Sequence, residues 1–386
     1  MLKCEKYNDR LGYYKVGDEK IYNAYPALIA AKAKNAKIEW VFNDEYYRLA
    51  ASKHIDLTLD ELYLARAQQL REQYDYLVLN FSGGKDSINV LLTFLNNGIF
   101  LDEIVMNYPF PLKNTFNKDD KSNANFFSEI EFAAKPILEK YKNKIHPNTI
   151  IRYQDLAQPN IDLLSRDDWF DIFPSHSAFT VTNRAVSQIY DVHYMKLAMQ
   201  QKRVASIFGI DKPKIIHTNG EYYFSFVDIN LHSMNRPSLP EYRETVDNYI
   251  NAEPFYWTPY MPEIVVKQCH IILEAMKHDH LLKTVIHDKV SDPHVVMQVR
   301  EKLIAKYIYS DDEKVWQTEK PTYNSFRKMD DWFWEIAPTK AKDNFLYTLN
   351  VMQQNVSHDA FLDGDVKRGK NPHFSAPIKI NYRTAE

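Results

Sequence analysis

Polar residues bound a short apolar run at Asp75-Tyr76-Leu77-Val78-Leu79-Asn80, the pattern of a strand covered on both faces of a parallel sheet. It leads into Ser82-Gly83-Gly84. From Ser87 the period changes: Ile88, Leu91, Leu92 and Leu95 recur at helical spacing and the run stops at Gly98, a helix with a glycine end. The alternation continues. Leu101 to Tyr108 reads as a second strand, Asn125 to Tyr141 as helix, Asn148 to Tyr153 as a third strand, Thr182 to Gln201 as helix and Arg203 to Phe208 as a fourth strand. Strands alternating with helices predict a Rossmann-like α/β fold, a parallel sheet with helices on both faces.

The flanks are patterned differently. Tyr13-Tyr14-Lys15-Val16, Gly17-Asp18 and Lys20-Ile21-Tyr22 read as a small hairpin. Helical spacing runs from Tyr25 to Ala36, and a second helix starts at Thr58, an N-cap candidate with Glu61 three residues on, and runs towards Tyr74. Lys214 to His217, Asn219-Gly220 and Tyr222 to Phe226 carry a second hairpin signal. Beyond about 240 the pattern is helical at Pro262–Met276 and Pro293–Tyr307, then aromatic around Trp316 and Trp332–Trp334, and the last two dozen residues read as loop or extended arm. These shifts predict a small N-terminal α+β unit (1–72), a sheet domain (73–240) and a mainly helical C-terminal region (241–386).

Composition narrows the class. With 386 residues, 45% apolar and 26% charged, the chain can bury a large core without staples. The 26 Tyr and 21 Phe against 9 Gly require many tyrosines to sit half-buried with the hydroxyl at water or a partner. A net charge of −3 supplies no global basic field for nucleic acid. Lys367, Arg368 and Lys370 near the C-terminus are the basic cluster of note, read as a solvated tail. Two cysteines, Cys4 and Cys269, make no disulfide framework or zinc spacing, which predicts a reducing compartment. Met1-Leu2-Lys3-Cys4-Glu5-Lys6 lacks the apolar core of a signal peptide, and no stretch approaches a membrane span; the expectation is a cytoplasmic protein without a membrane partner.

Strand, then Ser82-Gly83-Gly84-Lys85-Asp86-Ser87, then helix is the arrangement of a phosphate site. Glycines let the backbone turn sharply with its N–H groups towards phosphate oxygens, and the helix N-terminus adds partial positive charge. Ser82 and Ser87 can donate to phosphate, and Lys85 can neutralise it. The Asp86 carboxylate would repel polyphosphate unless it holds a bridging Mg²⁺. A Walker A loop is excluded, because Asp86 follows Lys85 and no glycine stands four residues before Gly84-Lys85. An ordinary Gly-Gly turn capped by Ser and Asp is the alternative.

On this string the chain resembles the PP-loop ATP pyrophosphatases, whose signature is Ser-Gly-Gly-x-Asp-Ser. They include asparagine, argininosuccinate and GMP synthetases, tRNA-modifying ligases and phosphoadenylylsulfate reductases. The resemblance implies an adenine-nucleotide α-hydrolase-like sheet over 73–240, with ATP and Mg²⁺ as cofactors. It also implies transfer of AMP to a substrate oxygen, loss of pyrophosphate, and displacement of AMP by a nitrogen or sulfur nucleophile. Leu70 to Leu79, Leu101-Asp102-Glu103-Ile104-Val105 and Glu253-Pro254-Phe255-Tyr256-Trp257-Thr258-Pro259 are similar to tailed-phage proteins labelled asparagine-synthetase-like, which would put the chain in a host cytoplasm.

Missing residues choose among the branches. Residues 270–386 contain no cysteine and Cys269 lies in an apolar helical stretch, against the thiol chemistry of a sulfonucleotide reductase. Position 2 is Leu and Cys4 could serve as an N-terminal nucleophile only after further processing, so no glutaminase is expected, and nitrogen would come from free ammonia, an amine or a separate donor protein. The expected enzyme is an ATP-dependent ligase that adenylates a carboxylate or carbonyl oxygen. Its alternatives are a sulfonucleotide reductase-like enzyme and a non-catalytic nucleotide sensor. The acceptor is expected to be a small molecule, with nucleic acid left open because a local basic groove fits inside a neutral total.

Catalytic roles fall to Lys85, Asp86 and Lys212, with Asp86 the metal ligand; Ser82, Gly83, Gly84, Lys85 and Ser87 hold phosphate. Gly209-Ile210-Asp211-Lys212-Pro213-Lys214 follows the fourth strand, where related enzymes carry a second nucleotide-binding loop. Gly209 and Asp211 are candidates there, and Lys212 or Lys214 would neutralise pyrophosphate, against a surface turn set by Pro213. Asn80 would flank the nucleotide and Asn107 meet adenine or ribose. Arg184, near Thr180 and Asn183, is either a phosphate fork or a structural salt bridge. Phe255-Tyr256-Trp257 reads as a packing cluster, with stacking on a planar substrate as the alternative. Lys267, Gln268 and His270 share a helix that could reach the substrate, and His176, His193 and His217 lack metal spacing.

Overall fold

The computed structural model describes residues 12–22, 24–41, 46, 48–49, 55–108, 110–111, 119, 127, 129–155, 157–172, 192–209, 212–225, 249–287, 293–309, 331–355 and 377–381. Thr180, Asn183, Arg184, His176, Asp211, Trp316 and the Lys367, Arg368, Lys370 cluster lie outside these.

Gly17, at φ 61°, turns β1 (Tyr13–Val16) back into β2 (Glu19–Ile21), and Val16 pairs with Glu19 across the antiparallel hairpin. After α1 (Ala24–Lys34), β3 (Ile38–Val41) joins the other edge of β1. The hydrophobic pattern had not revealed this strand. Helix α2 (Leu59–Gln73) starts on the expected Thr58, whose side chain accepts from the Glu61 N–H at 3.2 Å while the Glu61 carboxylate accepts from the Thr58 N–H at 2.8 Å. This reciprocal box satisfies two N–H groups that a bare helix end leaves unpaired.

The middle of the chain builds the sheet. In order it supplies β4 (Tyr76–Asn80), α3 (Lys85–Asn96) and β5 (Glu103–Tyr108), then a π-helical turn (Ile130–Ala134) continuing as α4 (Lys135–Tyr141), and β6 (Ile150–Asp155). There follow α5 (Gln158–Leu164), α6 (Trp169–Ile172), α7 (Val192–Met199) and β7 (Val204–Phe208). The expected hairpin is β8 (Lys214–Thr218) and β9 (Glu221–Ser225), turning through Asn219 and Gly220 at φ 51° and 77°, the double positive φ of a type I′ turn. β10 (Ile250–Pro254) comes next. The helical region is α8 (Glu263–Ala275), α9 (His280–His287), α10 (Pro293–Ile308), α11 (Asp331–Ile336) and α12 (Thr339–Asn355). β11 (Ile378–Lys379) pairs with β9, so part of the expected terminal arm is a sheet strand.

Five strands, all parallel, lie in the order β10-β7-β4-β5-β6. This is a Rossmann-like α/β arrangement with one more strand than the sequence pattern predicted. β10 was missed because Ile250-Asn251-Ala252-Glu253-Pro254 is half polar and ends in proline. An edge strand tolerates both, since only one side needs a ladder partner. Helices cover both faces. Leu77, Leu79, Ile104, Met106 and Ile207 meet Ile88, Leu91, Leu92 and Phe94 of α3 on one face, while Val78, Val105 and Val204 meet Tyr194 and Leu197 of α7 on the other. One hydrophobic cluster includes residues from Tyr14 to Ile380, so N-terminal, central and C-terminal segments share a core. Among the described residues no helix is long and apolar enough to cross a membrane.

Two buried ionic clusters tie the layers. Glu103, fully buried in β5, accepts from Arg152 Nε at 2.8 Å, Tyr194 OH at 2.9 Å and Tyr76 OH at 3.1 Å. Arg66 of α2, also fully buried, donates to Glu253 at 2.6 Å and to the Pro254 carbonyl at 3.0 Å. Tyr74 hydroxyl is bonded to the second Glu253 oxygen. These contacts lock α2 to the edge strand β10.

Candidate functional site

The connections of β4, β5 and β6 run one way across the sheet, and β7 with β10 lies on the other side of β4. The carboxyl ends of β4 and β7 therefore flank the point where strand order reverses, the crevice where open α/β sheets bind ligands. Both loops singled out from the sequence leave the sheet there.

After Asn80 the chain passes through Ser82-Gly83-Gly84 into α3. Gly83 has φ 69°, and a Cβ on it would lie 2.4 Å from the Ala134 nitrogen. Glycine is thus required twice, by conformation and by contact with the π-helical turn. Gly84 is the N-cap of α3 and offers no side-chain hydrogen bond, so the first-turn N–H groups have no such cap. The helix is instead anchored by burial of Ile88, Val90, Leu91, Leu92 and Phe94, each contributing about 1.5–3 kcal/mol. Its N-terminus can then stay open to an anion. Ser87 Oγ donates to the Gly84 carbonyl at 2.9 Å and lies 3.4 Å from Ser82 Oγ.

On the β7 side, a Cβ at Gly209 would meet the Asp86 carbonyl at 2.9 Å. This close approach brings Lys212 against the first loop: its ammonium lies 2.5 Å from Asp86 Oδ1 and 3.3 Å from Glu301 Oε2 on α10. Lys214 pairs with Glu301 at 3.1 Å. Burial raises the Glu301 carboxyl, but Lys214, Lys212 and Arg300 outweigh it and hold the group at about 2. The Lys85 ammonium nitrogen is buried without a hydrogen-bond partner among the described residues. Burial, then Lys212 and Lys302, lower its pKa to about 8. Among the described residues, five basic side chains (Lys85, Lys212, Lys214, Arg300, Lys302) thus interact around two carboxylates (Asp86, Glu301), a local positive surplus in a chain of net charge −3.

Tyr309 hydroxyl, just beyond α10, is bonded to Asp86 Oδ1. Its ring stacks on Tyr256 at 5.6 Å and 29°. Tyr256 hydroxyl donates to the Asp86 carbonyl at 2.9 Å and accepts from Asn89 Nδ2 at 2.9 Å. Burial and then Asp86 push the Tyr309 hydroxyl well above its ordinary pKa, so it is a donor at any physiological pH. Both Asp86 donors use Oδ1; Oδ2 accepts from no described residue. Among the described residues no group of three or more His, Cys, Asp and Glu could hold a metal. Asp86 Oδ2 alone could hold a divalent cation only with further ligands from outside the protein.

No protein-family model matches this chain. Nor does any curated protein.

The remaining expected residues lie at varied distances from this crevice. Asn80 donates to Ser206 Oγ at 2.7 Å and to the Ile207 carbonyl at 3.2 Å, bridging β4 to β7 beneath the loops. Asn107, at the carboxyl end of β5, has a buried Oδ1 without a hydrogen-bond partner among the described residues. Lys267 donates to the Ile55 carbonyl at 2.7 Å and Gln268 to Tyr63 hydroxyl at 2.9 Å, so these two bond towards the N-terminal segment. His193 lies 3.3 Å from Tyr76 hydroxyl, and His217 stacks on His287 at 4.0 Å. Tyr256, Glu301, Lys302 and Tyr309 were not foreseen as members of the site. Tyr256 was visible only as part of an aromatic cluster, and Glu301 and Tyr309 carry no local signal.

Proposed function

We propose that this chain is a PP-loop ATP pyrophosphatase that adenylates an acceptor with ATP and Mg²⁺. The observation that carries the reading is the Lys85 ammonium, buried without a hydrogen-bond partner among the described residues and set within a positive surplus, beside a helix N-terminus without a side-chain cap. A polyphosphate supplies the charge this group lacks.

Ser82, Gly83, Gly84, Lys85 and Ser87 hold the phosphates, and Lys212 compensates the charge that develops on pyrophosphate. Asp86 would hold the Mg²⁺ that accompanies the nucleotide, and that ion would supply Lewis-acid stabilisation of charge on the phosphoryl oxygens. An acceptor carboxylate or carbonyl oxygen attacks the α-phosphorus as the bond to the β-phosphate oxygen breaks. Ammonia or an amine then attacks the activated carbon, loses a proton to water, and AMP leaves. Positioning and electrostatics do the work, with no covalent protein intermediate. The acceptor is a small molecule and nitrogen comes from free ammonia or a separate donor. Cys269 is buried in α8 and burial pushes its thiol well up, which speaks against sulfonucleotide reduction.

The deciding assay is pyrophosphate release from ATP and Mg²⁺ across pooled amino acids and nucleotides with ammonium, for wild type and Asp86→Ala. Acceptor-dependent pyrophosphate that vanishes in the variant supports adenylation. ATP binding with no pyrophosphate from any pool favours a sensor instead.

A further inference from the structure

The two donors to Asp86 come from different places. Lys212 arrives on the β7 loop, but Tyr309 comes from the C-terminal region, 223 residues away in sequence. Tyr309 is itself held on two sides, its ring lying over Tyr256 and the Lys212 ammonium standing 5.7 Å from its ring centroid, and it is 7% exposed. Tyr256 in turn is fully buried and bonds the Asp86 carbonyl. Two stacked tyrosines thus end on the same aspartate, one at its backbone and one at its carboxylate. A carboxylate with Oδ1 engaged twice cannot rotate freely. Its Oδ2 is held in one direction, and the side chain is 27% exposed.

We propose that Tyr309 is a positioning residue that clamps the Asp86 carboxylate so that Oδ2 is presented to the metal ion accompanying the nucleotide, an inference that rests on the reading of the loop as a Mg²⁺–ATP site. The clamp makes metal capture depend on docking of α10 against the sheet. Tyr309 touches neither nucleotide nor metal; it acts through Asp86. Removing its hydroxyl leaves phosphate contacts intact and frees the carboxylate to turn, so the loss falls on the metal-dependent part of binding.

The test is ATP affinity by equilibrium dialysis, with Mg²⁺ and with chelator, for wild type, Tyr309→Phe, Asp86→Asn and the double variant. Phenylalanine keeps the ring on Tyr256. Wild type should bind ATP more tightly with Mg²⁺. Tyr309→Phe should lose about tenfold of that gain, the scale of a hydrogen bond to a charged group, with affinity in chelator within about twofold of wild type. In the Asp86→Asn background Tyr309→Phe should add nothing, since both act on one group. If Tyr309→Phe does not fold, Tyr309→His, which keeps a ring and an N–H donor, should retain the Mg²⁺ gain within about threefold; a larger loss overturns the clamp. An undiminished Mg²⁺ gain in Tyr309→Phe, or a loss that persists in the Asp86→Asn background, overturns the clamp alone. Wild type that binds no ATP overturns the proposed function and the clamp with it.

Discussion

Lys85 stands where burial and two other lysines work against its charge, and its pKa falls from 10.5 to about 8. Between those values the unfolded chain holds one more proton than the folded one, so this group makes stability rise with pH there and costs most below about 8. Lys85→Met should therefore stabilise the ligand-free protein by about 1 kcal/mol, a figure reduced for its partial exposure, while weakening ATP binding. Bound polyphosphate favours the charged amine, so binding above pH 8 should take up close to one proton. Affinity should fall as pH rises from about 8. Calorimetry in buffers of different ionisation enthalpy reads that proton directly, and its persistence in Lys85→Met would refute the assignment. Gly83 admits a sharper comparison. Gly83 and Gly98 both have positive φ, 69° and 63°, but a Cβ at Gly98 meets nothing within 4 Å. Gly98→Ala should cost about 1 kcal/mol for backbone conformation alone, and Gly83→Ala at least 2 kcal/mol because it also meets the Ala134 backbone. Urea unfolding midpoints of the two variants separate conformation from contact.

At the scale of elements, the boundaries set by local chemistry were legible and those set by neighbours were not. The Thr58 and Glu61 box marks the start of α2 wherever the helix packs. Thr58→Ala should cost about 1 kcal/mol of stability, measurable as a lower melting temperature. The β8–β9 hairpin was likewise written in Asn219-Gly220. By contrast β3, β10, α5, α9 and α12 went unseen. β10 is short and polar, and it exists because β7 offers a ladder and Arg66 pairs with Glu253. The π-helical turn at Ile130–Ala134 was visible only as helix. Its function as a wall for Gly83 depends on where the turn lands.

For the whole molecule, the Arg66–Glu253 pair joins segments 187 residues apart, with both side chains buried. Arg66→Ala leaves a buried carboxylate unpaired and should cost 3 kcal/mol or more. The exposed Arg203–Asp75 pair, although it holds the Asp75 carboxyl below its ordinary range chiefly through the Arg203 side-chain hydrogen bond, should contribute less than about 1 kcal/mol. Chemical denaturation of Arg66→Ala beside Arg203→Ala tests that order, and equal losses would mean the Arg66 link is not what holds α2 on β10.

The sequence alone determined the parallel α/β class, the strand–Ser-Gly-Gly-Lys-Asp-Ser–helix unit and the capped start of α2. Hydrophobic period, glycine conformation and capping act within a few residues, so spacing expresses them. It also placed Gly209 and Lys212 after the strand that turned out to be β7. Only the tertiary structure decided that β7 lies next to β4 on the side away from β5, which brings Lys212 to Asp86. It alone decided that Tyr256, Glu301 and Tyr309 join them. Contacts across 126, 170 and 223 residues depend on how helices and strands pack, and no local pattern of residues encodes a packing that the whole core chooses.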